Sequence, residues 1–361
     1  MPVSESEIRW GSYDVYEGPF FRGTVPFVMP ANPCLEDQIL ATITAAEGGH
    51  WNAINMYDRC ICTVGLIQWC EAGQFSVSEM LGSVYERDGS LLEPLLQFCD
   101  SFGVGFSRTV RNKWRFGFRD GRGEVDRIEE QRQLFLLKSS GKKGDWDQAS
   151  RIHAKRWAAI LASLFEHPEA IAAQRDFTVP KLYGFASGVG ARYLSAPEAR
   201  GTQIGRAFTC AFLSFAINSP RRAEESMRAA VNAWKDQAWT VSWLAHVLEL
   251  LTFHTNVSIY PHRYEAIRPV LEKNFGIDLP DRASALKNLL SVKEIQHILV
   301  YVLGYDLGGS GPNGDGVDGI WGPKSQSALA DFERRQGFLK DGVPDRTTNE
   351  ALLRAQDKVK A

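Results

Sequence analysis

The 361-residue chain lacks most of the features that would assign a role at sight. Its six cysteines, at 34, 60, 62, 70, 99 and 210, have no regular framework spacing, and a chain this long needs no staples to hold a core. Reduced thiols and synthesis in a cytosol are therefore expected. Formal net charge is only -2, which excludes a polycation held on nucleic acid by counterion release. No stretch approaches the roughly 18 uninterrupted apolar residues of a spanning helix, so no membrane insertion is expected. The opening MPVSESEIRWGSYDVYEG has two acids ahead of its first base and no apolar signal-like run, so a role outside the cytoplasm would need another agent for delivery. There is no fixed-period repeat, G-x-S-x-G elbow, P-loop or H-E-x-x-H, which argues against serine-hydrolase, nucleotide and zinc-peptidase chemistry. Cys60, Cys62 and Cys70, even with His50 added, lack zinc-site spacing; neither metal nor cofactor is expected.

Hydrophobic residues make up 44% of the chain, and 10 Trp, 10 Tyr and 20 Phe suffice both to fill a core and to line a groove. The length suits two domains. Residues 1–33, with Gly18, Pro19, Gly23, Pro26, Pro30 and Pro33 among aromatic and β-branched residues, read as an irregular or short-strand leader. From Leu35, the apolar Ile39, Leu40, Ile43 and Ala46 recur at helical spacing, which predicts a helix with Glu47 at its end and Gly48-Gly49 as its stop. Further helices are predicted near 91–100, 124–138, 146–175, 203–217, 221–251 and 263–274. Tyr183 to Gly205 reads as loop-rich, and composition suggests a junction at about 280–290. The run SRTVRNKWRFGFR, Ser107 to Arg119, interleaves five bases with Trp114, Phe116 and Phe118. Such a run can meet an acidic polymer, or form a charged strand over an aromatic core.

From Ser291, Val292, Ile295, Leu299 and Val302 share a helical face; a Gly/Asp-rich loop then ends in DGIWG, and Ala328, Leu329 and Phe332 begin another amphipathic helix. VKEIQHIL, LGY, DGIWG, a helix ending in Gly337 and DGVPDRTTNEALL come in the order of the three-helix peptidoglycan-binding module, which residues 291–354 closely resemble. The resemblance implies a targeting domain for bacterial cell wall. The loop SGPNGDGVD, 310–318, alternates oxygen-bearing residues but lacks a terminal bidentate glutamate, so a glycine-permitted turn is favoured over a calcium site.

Cleaving a glycosidic bond requires a carboxylic acid for the leaving oxygen and commonly a second carboxylate that activates water or stabilises an oxocarbenium-like centre. AAEGGHWNAINMYDRCICTVGLIQW, Ala45 to Trp69, offers Glu47 in an apolar helical setting, where desolvation would raise its pKa, and Asp58 in a more polar one. This stretch of 25 residues resembles goose-type lysozymes and soluble lytic transglycosylases through the glutamate, the Asp58-Arg59 pair and GLIQ at Gly65 to Gln68. By that resemblance Glu47 is the general acid. Asp58 matches the goose-type aspartate ahead of the GLMQ segment, with the connection about one residue longer, and Gln68 contacts sugar or orders the loop. The second goose-type aspartate falls on Cys70, with Glu71 adjacent as a substitute, so the water-activating residue is open between Asp58 and Glu71. The serine that follows the family's glutamate is Gly48 here, and AINSP, Ala216 to Pro220, stands for the distal AYNAG-like element, with Asn218 as candidate sugar contact. Trp51, Tyr57 and Trp69 are candidates to stack on sugar faces or to support the cleft.

Together these readings predict a mainly α protein: an enlarged lysozyme-like helical catalytic domain over 1–285, and a small three-helix peptidoglycan-binding domain over 291–361. The expected activity is a muramidase cleaving the β-1,4 bond between N-acetylmuramic acid and N-acetylglucosamine. A lytic transglycosylase forming 1,6-anhydro-muramyl ends is the alternative. A non-catalytic wall-binding or virion structural protein is the alternative of another class. Peptidoglycan is the expected partner of a monomer without nucleic acid. The combination suits a bacteriophage endolysin released by a holin, or an injected effector.

Overall fold

The computed structural model describes residues 2–13, 15–47, 49–56, 61–66, 69–71, 76–121, 123–125, 127–137, 141–217, 220–234, 238–256, 263–280, 290–338, 342, 344 and 346–360. Helix makes up 58% of the structure, in keeping with the mainly α expectation. The backbone divides into two compact units, Met1–Lys181 and Leu182–Ala361. The junction expected at 280–290 lies almost wholly outside the described residues. Among them, no helix is long and apolar enough to cross a membrane.

The first unit opens with β1 (Arg9–Tyr13) and β2 (Tyr16–Phe21), an antiparallel pair. After α1 (Leu35–Glu47) come three two-residue strands, β3 (Ile54–Asn55), β4 (Thr63–Val64) and β5 (Trp69–Cys70). They extend the pair into an antiparallel sheet of order β1-β2-β3-β4-β5, with Phe21 opposite Ile54 and Val64 opposite Trp69. The leader thus supplies two strands. α1 buries Ile39, Leu40 and Ile43 completely, and Asp37 in its first turn accepts from Cys34 N at 3.0 Å, as an acid near a helix N-terminus should.

Next come α2 (Ser76–Arg87), a 3-10 turn at Gly89–Leu92, α3 (Glu93–Asp100), the strands β6 (Val104–Arg108), β7 (Trp114–Phe118) and β8 (Gly123–Glu124), and α4 (Ile128–Leu136), α5 (Gln148–Leu164) and α6 (Pro168–Tyr183). α2 was not among the predicted helices, although Val77, Met80, Leu81 and Val84 lie at helical spacing and are all fully buried. The helix predicted over 146–175 is two helices. Pro168 has no N–H to continue α5 and disfavours helical backbone at His167, so α6 starts anew. The basic run forms the β6–β7 hairpin, in which Arg115 pairs with Glu79 at 2.7 Å, Arg119 with Asp100 at 2.8 Å, and Arg108 with Glu86. Trp114 stacks on Phe106 at 5.1 Å and Phe116 meets Trp157 at 5.7 Å, so the run is a charged strand over an aromatic core.

The second unit carries α7 (Gly188–Leu194), α8 (Pro197–Gly201), α9 (Gln203–Ala216), α10 (Pro220–Trp234), α11 (Val241–Asn256) and α12 (Arg263–Phe275). The segment expected to be loop-rich therefore contains two short helices. The first N–H groups of α7, at Val189 and Gly190, donate to the Glu224 carboxylate at 2.9 Å each, a distant cap that local sequence does not announce. The helix expected over 221–251 breaks near Trp239, whose φ of +68° is left-handed. Last come α13 (Val292–His297), which runs into a π-helical turn at Ile298–Val302, then α14 (Pro323–Gln336) and α15 (Arg346–Lys360). These three close on an apolar cluster that includes Ile295, Leu299, Leu329, Phe332 and Leu352.

One side chain joins the parts of the first unit. Gln174 of α6, fully buried, accepts from Leu66 N at 2.9 Å and donates to Trp51 O at 3.1 Å. Gly65, at φ +84°, must be glycine, since a Cβ there would lie 2.3 Å from Gln174 Oε1. Gln174→Ala leaves a buried N–H and a buried C=O without partners, so a loss of about 2–4 kcal/mol is expected in urea unfolding of the intact protein.

Candidate functional site around Glu47

Glu47 is the last residue of α1 and is half-buried. The chain leaves the helix through Gly49, at φ +60°, where a Cβ would sit 2.1 Å from Thr44 Cγ2. The leader then grips the segment from Gly49 to Asn52. Phe27 N donates to Gly49 O at 3.2 Å, Trp51 N donates to Val25 O at 2.8 Å, and Pro26 and His50 form a bridge. Asn52, fully buried, accepts from Thr24 N at 2.9 Å and Val25 N at 3.1 Å while its Nδ2 donates to Thr24 Oγ1 at 3.1 Å. These bonds fix the backbone just beyond the end of α1.

Trp51 and Trp69 are only 6% and 3% exposed. Trp51 lies beside Phe27 at 6.1 Å; Trp69 donates Nε1 to Thr178 Oγ1 at 2.9 Å and meets Phe177 edge-on at 5.5 Å. Neither indole offers a face to a sugar here, and both act as supports. Tyr57, Asp58, Gln68 and Asn218 lie outside the described residues.

Glu71 follows β5 and is 1% exposed. One carboxylate oxygen accepts from Ser78 N at 3.0 Å and the other from Ser78 Oγ, so it anchors the first turn of α2. Burial pushes this carboxyl up to about 7, against the opposing pull of its Ser78 hydrogen bonds and the charge of Arg115. Of the two carboxylates considered for activating water, Glu71 therefore has both oxygens engaged by a helix.

Sequence reasoning missed the polar stripe of α6 that backs this region. Gln174, Thr178 and Lys181 recur at helical spacing and reach Leu66, Trp69 of β5 and Ser76 of α2. Lys181 donates to Ser76 Oγ at 3.0 Å and lies over the rings of Phe177 and Trp69 at 4.7 and 5.4 Å; burial lowers its pKa. The spacing was visible, but a polar helical stripe reads first as a solvated face. A separate cavity of about 390 Å³, lined in part by Leu91, Pro94, Arg156 and Ile160, contains none of the predicted site residues.

In the C-terminal module the motif residues hold the fold. Gln296, 1% exposed, presents Nε2 to Asp318 Oδ1 at 2.9 Å, Ile320 O at 3.0 Å and Ser325 Oγ at 3.1 Å, and accepts from Gly319 N at 2.7 Å. Glu333, equally buried, accepts from Gly342 N at 2.8 Å and Thr348 Oγ1 at 3.2 Å. The glycine-rich loop is a turn closed by its own bonds: Asp315 accepts from Val317 N at 3.0 Å and Asp318 from Ile320 N at 2.8 Å. Gly316, at φ +80°, would bring a Cβ 2.5 Å from Leu307 Cβ. Among the described residues no group of three or more His, Cys, Asp or Glu is placed to hold a metal ion.

Residues 289–352 match the family model described as "putative peptidoglycan binding domain". The chain therefore carries a C-terminal helical domain similar to cell-wall-binding modules, which supports peptidoglycan as its partner. No curated protein and no solved structure matches the chain.

The Glu71 carboxyl makes a pH prediction. Its folded pKa of about 7 lies above the ordinary glutamate value of 4.5, so between these values the folded chain keeps a proton that the unfolded chain has lost. Stability should fall as pH rises through that window, by about 3 kcal/mol from this group. Urea midpoints measured at about pH 4.5 and about pH 7.5 should show the fall in wild type and a clearly smaller one in Glu71→Gln.

Proposed function

We propose that the protein is a peptidoglycan hydrolase of the muramidase type, acting on the β-1,4 bond between N-acetylmuramic acid and N-acetylglucosamine. One observation carries the reading. Glu47 closes α1 immediately ahead of the β3–β5 meander, with the GLIQ segment between β4 and β5, in a chain whose residues 289–352 are similar to a peptidoglycan-binding domain. In this reading Glu47 protonates the leaving oxygen, and Asp58 serves as the companion carboxylate because Glu71 is engaged by α2. The C-terminal module raises the local substrate concentration by tethering. The pairing of these parts is that of a bacteriophage endolysin, working as a monomer on the wall after a holin opens the way.

The enclosure of Glu71 also favours a second reading. With one of two water-activating candidates withdrawn, a lytic transglycosylase, which needs a single glutamate and closes the muramyl 6-hydroxyl onto C1, becomes the nearest competitor. Purified sacculi distinguish the two: reducing muramyl ends in the mass spectrum mean hydrolysis, and anhydro-muramyl ends mean transglycosylation. Glu47→Gln should still sediment with sacculi while clearing them at least about 100-fold more slowly. A variant that clears them at the wild-type rate removes Glu47 from the chemistry. No clearance by wild type leaves a non-catalytic wall-binding protein.

A further inference from the structure

The C-terminal module buries the residues that mark its family and exposes others. Tyr301 and Ile320 are 55% and 68% exposed. A single exposed hydrophobic side chain needs no explanation, but both of these border the helix that begins at Val292. Tyr301 packs on His297, with ring centroids 4.7 Å apart. Lys293, His297 and Tyr301 succeed one another at four-residue intervals along α13 and its π-helical turn. Ile320 sits on the loop that Gln296 ties to the same helix, through Ile320 O at 3.0 Å. Beside it, a Cβ on Gly319 would lie 4.0 Å from Lys293 Cβ, so loop and helix meet at that lysine. Tyr301 donates its hydroxyl to Asp315, whose other oxygen accepts from Val317 N at 3.0 Å. π-helical turns are rare and recur at functional sites, and this one carries Tyr301.

The geometry points to the face formed by Lys293, His297, Tyr301, Asp315 and Ile320 as the surface by which the module holds the wall, and to the glycan strand as the part it takes. This rests on the wall-binding reading of the module. The paired rings of His297 and Tyr301 offer an apolar platform for the C–H side of a sugar, with a polar edge in reach. Ile320 covers an acetyl methyl, and Asp315 accepts from a hydroxyl or acetamido N–H. The Tyr301 hydroxyl holds the Asp315 carboxyl below the usual range. Lys293 brings positive charge to the carboxylates carried beside the glycan.

Co-sedimentation of the full-length protein with purified sacculi tests this. Tyr301→Ala and Ile320→Ser should each weaken binding about tenfold or more, as loss of a central contact does. Tyr301→Phe, which keeps the ring, should stay within about threefold, and Ile152→Ser, at a 51% exposed position in the first unit, should match wild type. Because the altered side chains are exposed, melting temperatures should barely move. N-acetylglucosamine oligomers should displace the wild type, and a soluble stem peptide should not. If Tyr301→Ala and Ile320→Ser bind as wild type does, the face is wrong and wall binding itself stands. Displacement by the stem peptide alone overturns the glycan assignment. A wild type that fails to sediment removes the wall-binding reading, and this proposal with it.

Discussion

The buried amide of Gln174 holds the loop that follows Glu47 against the loop that leads into β5, by donating to Trp51 O and accepting from Leu66 N. Backbone groups taken out of water must find partners, and short strands of two residues cannot satisfy their own connections. α6 solves this from outside the sheet. The same helix sends Arg175 to Asp37 at 2.7 Å, so it also fixes the start of α1, whose far end carries Glu47. Gly65 is required because the amide comes so close, and Trp69 is held by the next turn of α6 through Thr178. The two loops are thus held by a neutral side chain whose contacts span 108 and 123 positions of the chain.

Three glutamates in this unit show environment setting the role. Glu71, enclosed and bonded twice to Ser78, anchors a helix and has its carboxyl pushed up to about 7. Glu79 is paired with Arg115 and fastens the β6–β7 hairpin to α2. Glu47, half-buried at the end of α1, is the one placed where a helix meets the loops of the meander. The enclosure of Glu71 leaves Asp58 as the other carboxylate that the proposed reaction could use.

In the C-terminal module the residues that betray the family are those that build it. Gln296 occupies the centre of the fold, with four polar partners drawn from DGIWG and the start of α14. Glu333 does the same for the loop ahead of α15. Such motifs reveal a scaffold because a buried polar group tolerates little change. The side chains of Tyr301 and Ile320 are outside that scaffold and stand out only once exposure is known.

What the sequence determined by itself was what local periodicity and turn chemistry can write. The apolar stripe of α1 with glycine at its exit, the helices near 203–217 and 263–274, and the order of motifs from Ser291 onward were all legible, because each depends on residues a few positions apart. The start of α6 was also written, in Pro168, and α2 was written in its apolar spacing. Only the tertiary structure decided which polar groups were enclosed. It made supports of Trp51 and Trp69, a helix anchor of Glu71, a cap for α7 of Glu224, and a clamp of Gln174. The reason is physical: the free energy of a polar group depends on whether its partner is water or protein, and those protein partners arrive from up to 123 positions away along the chain.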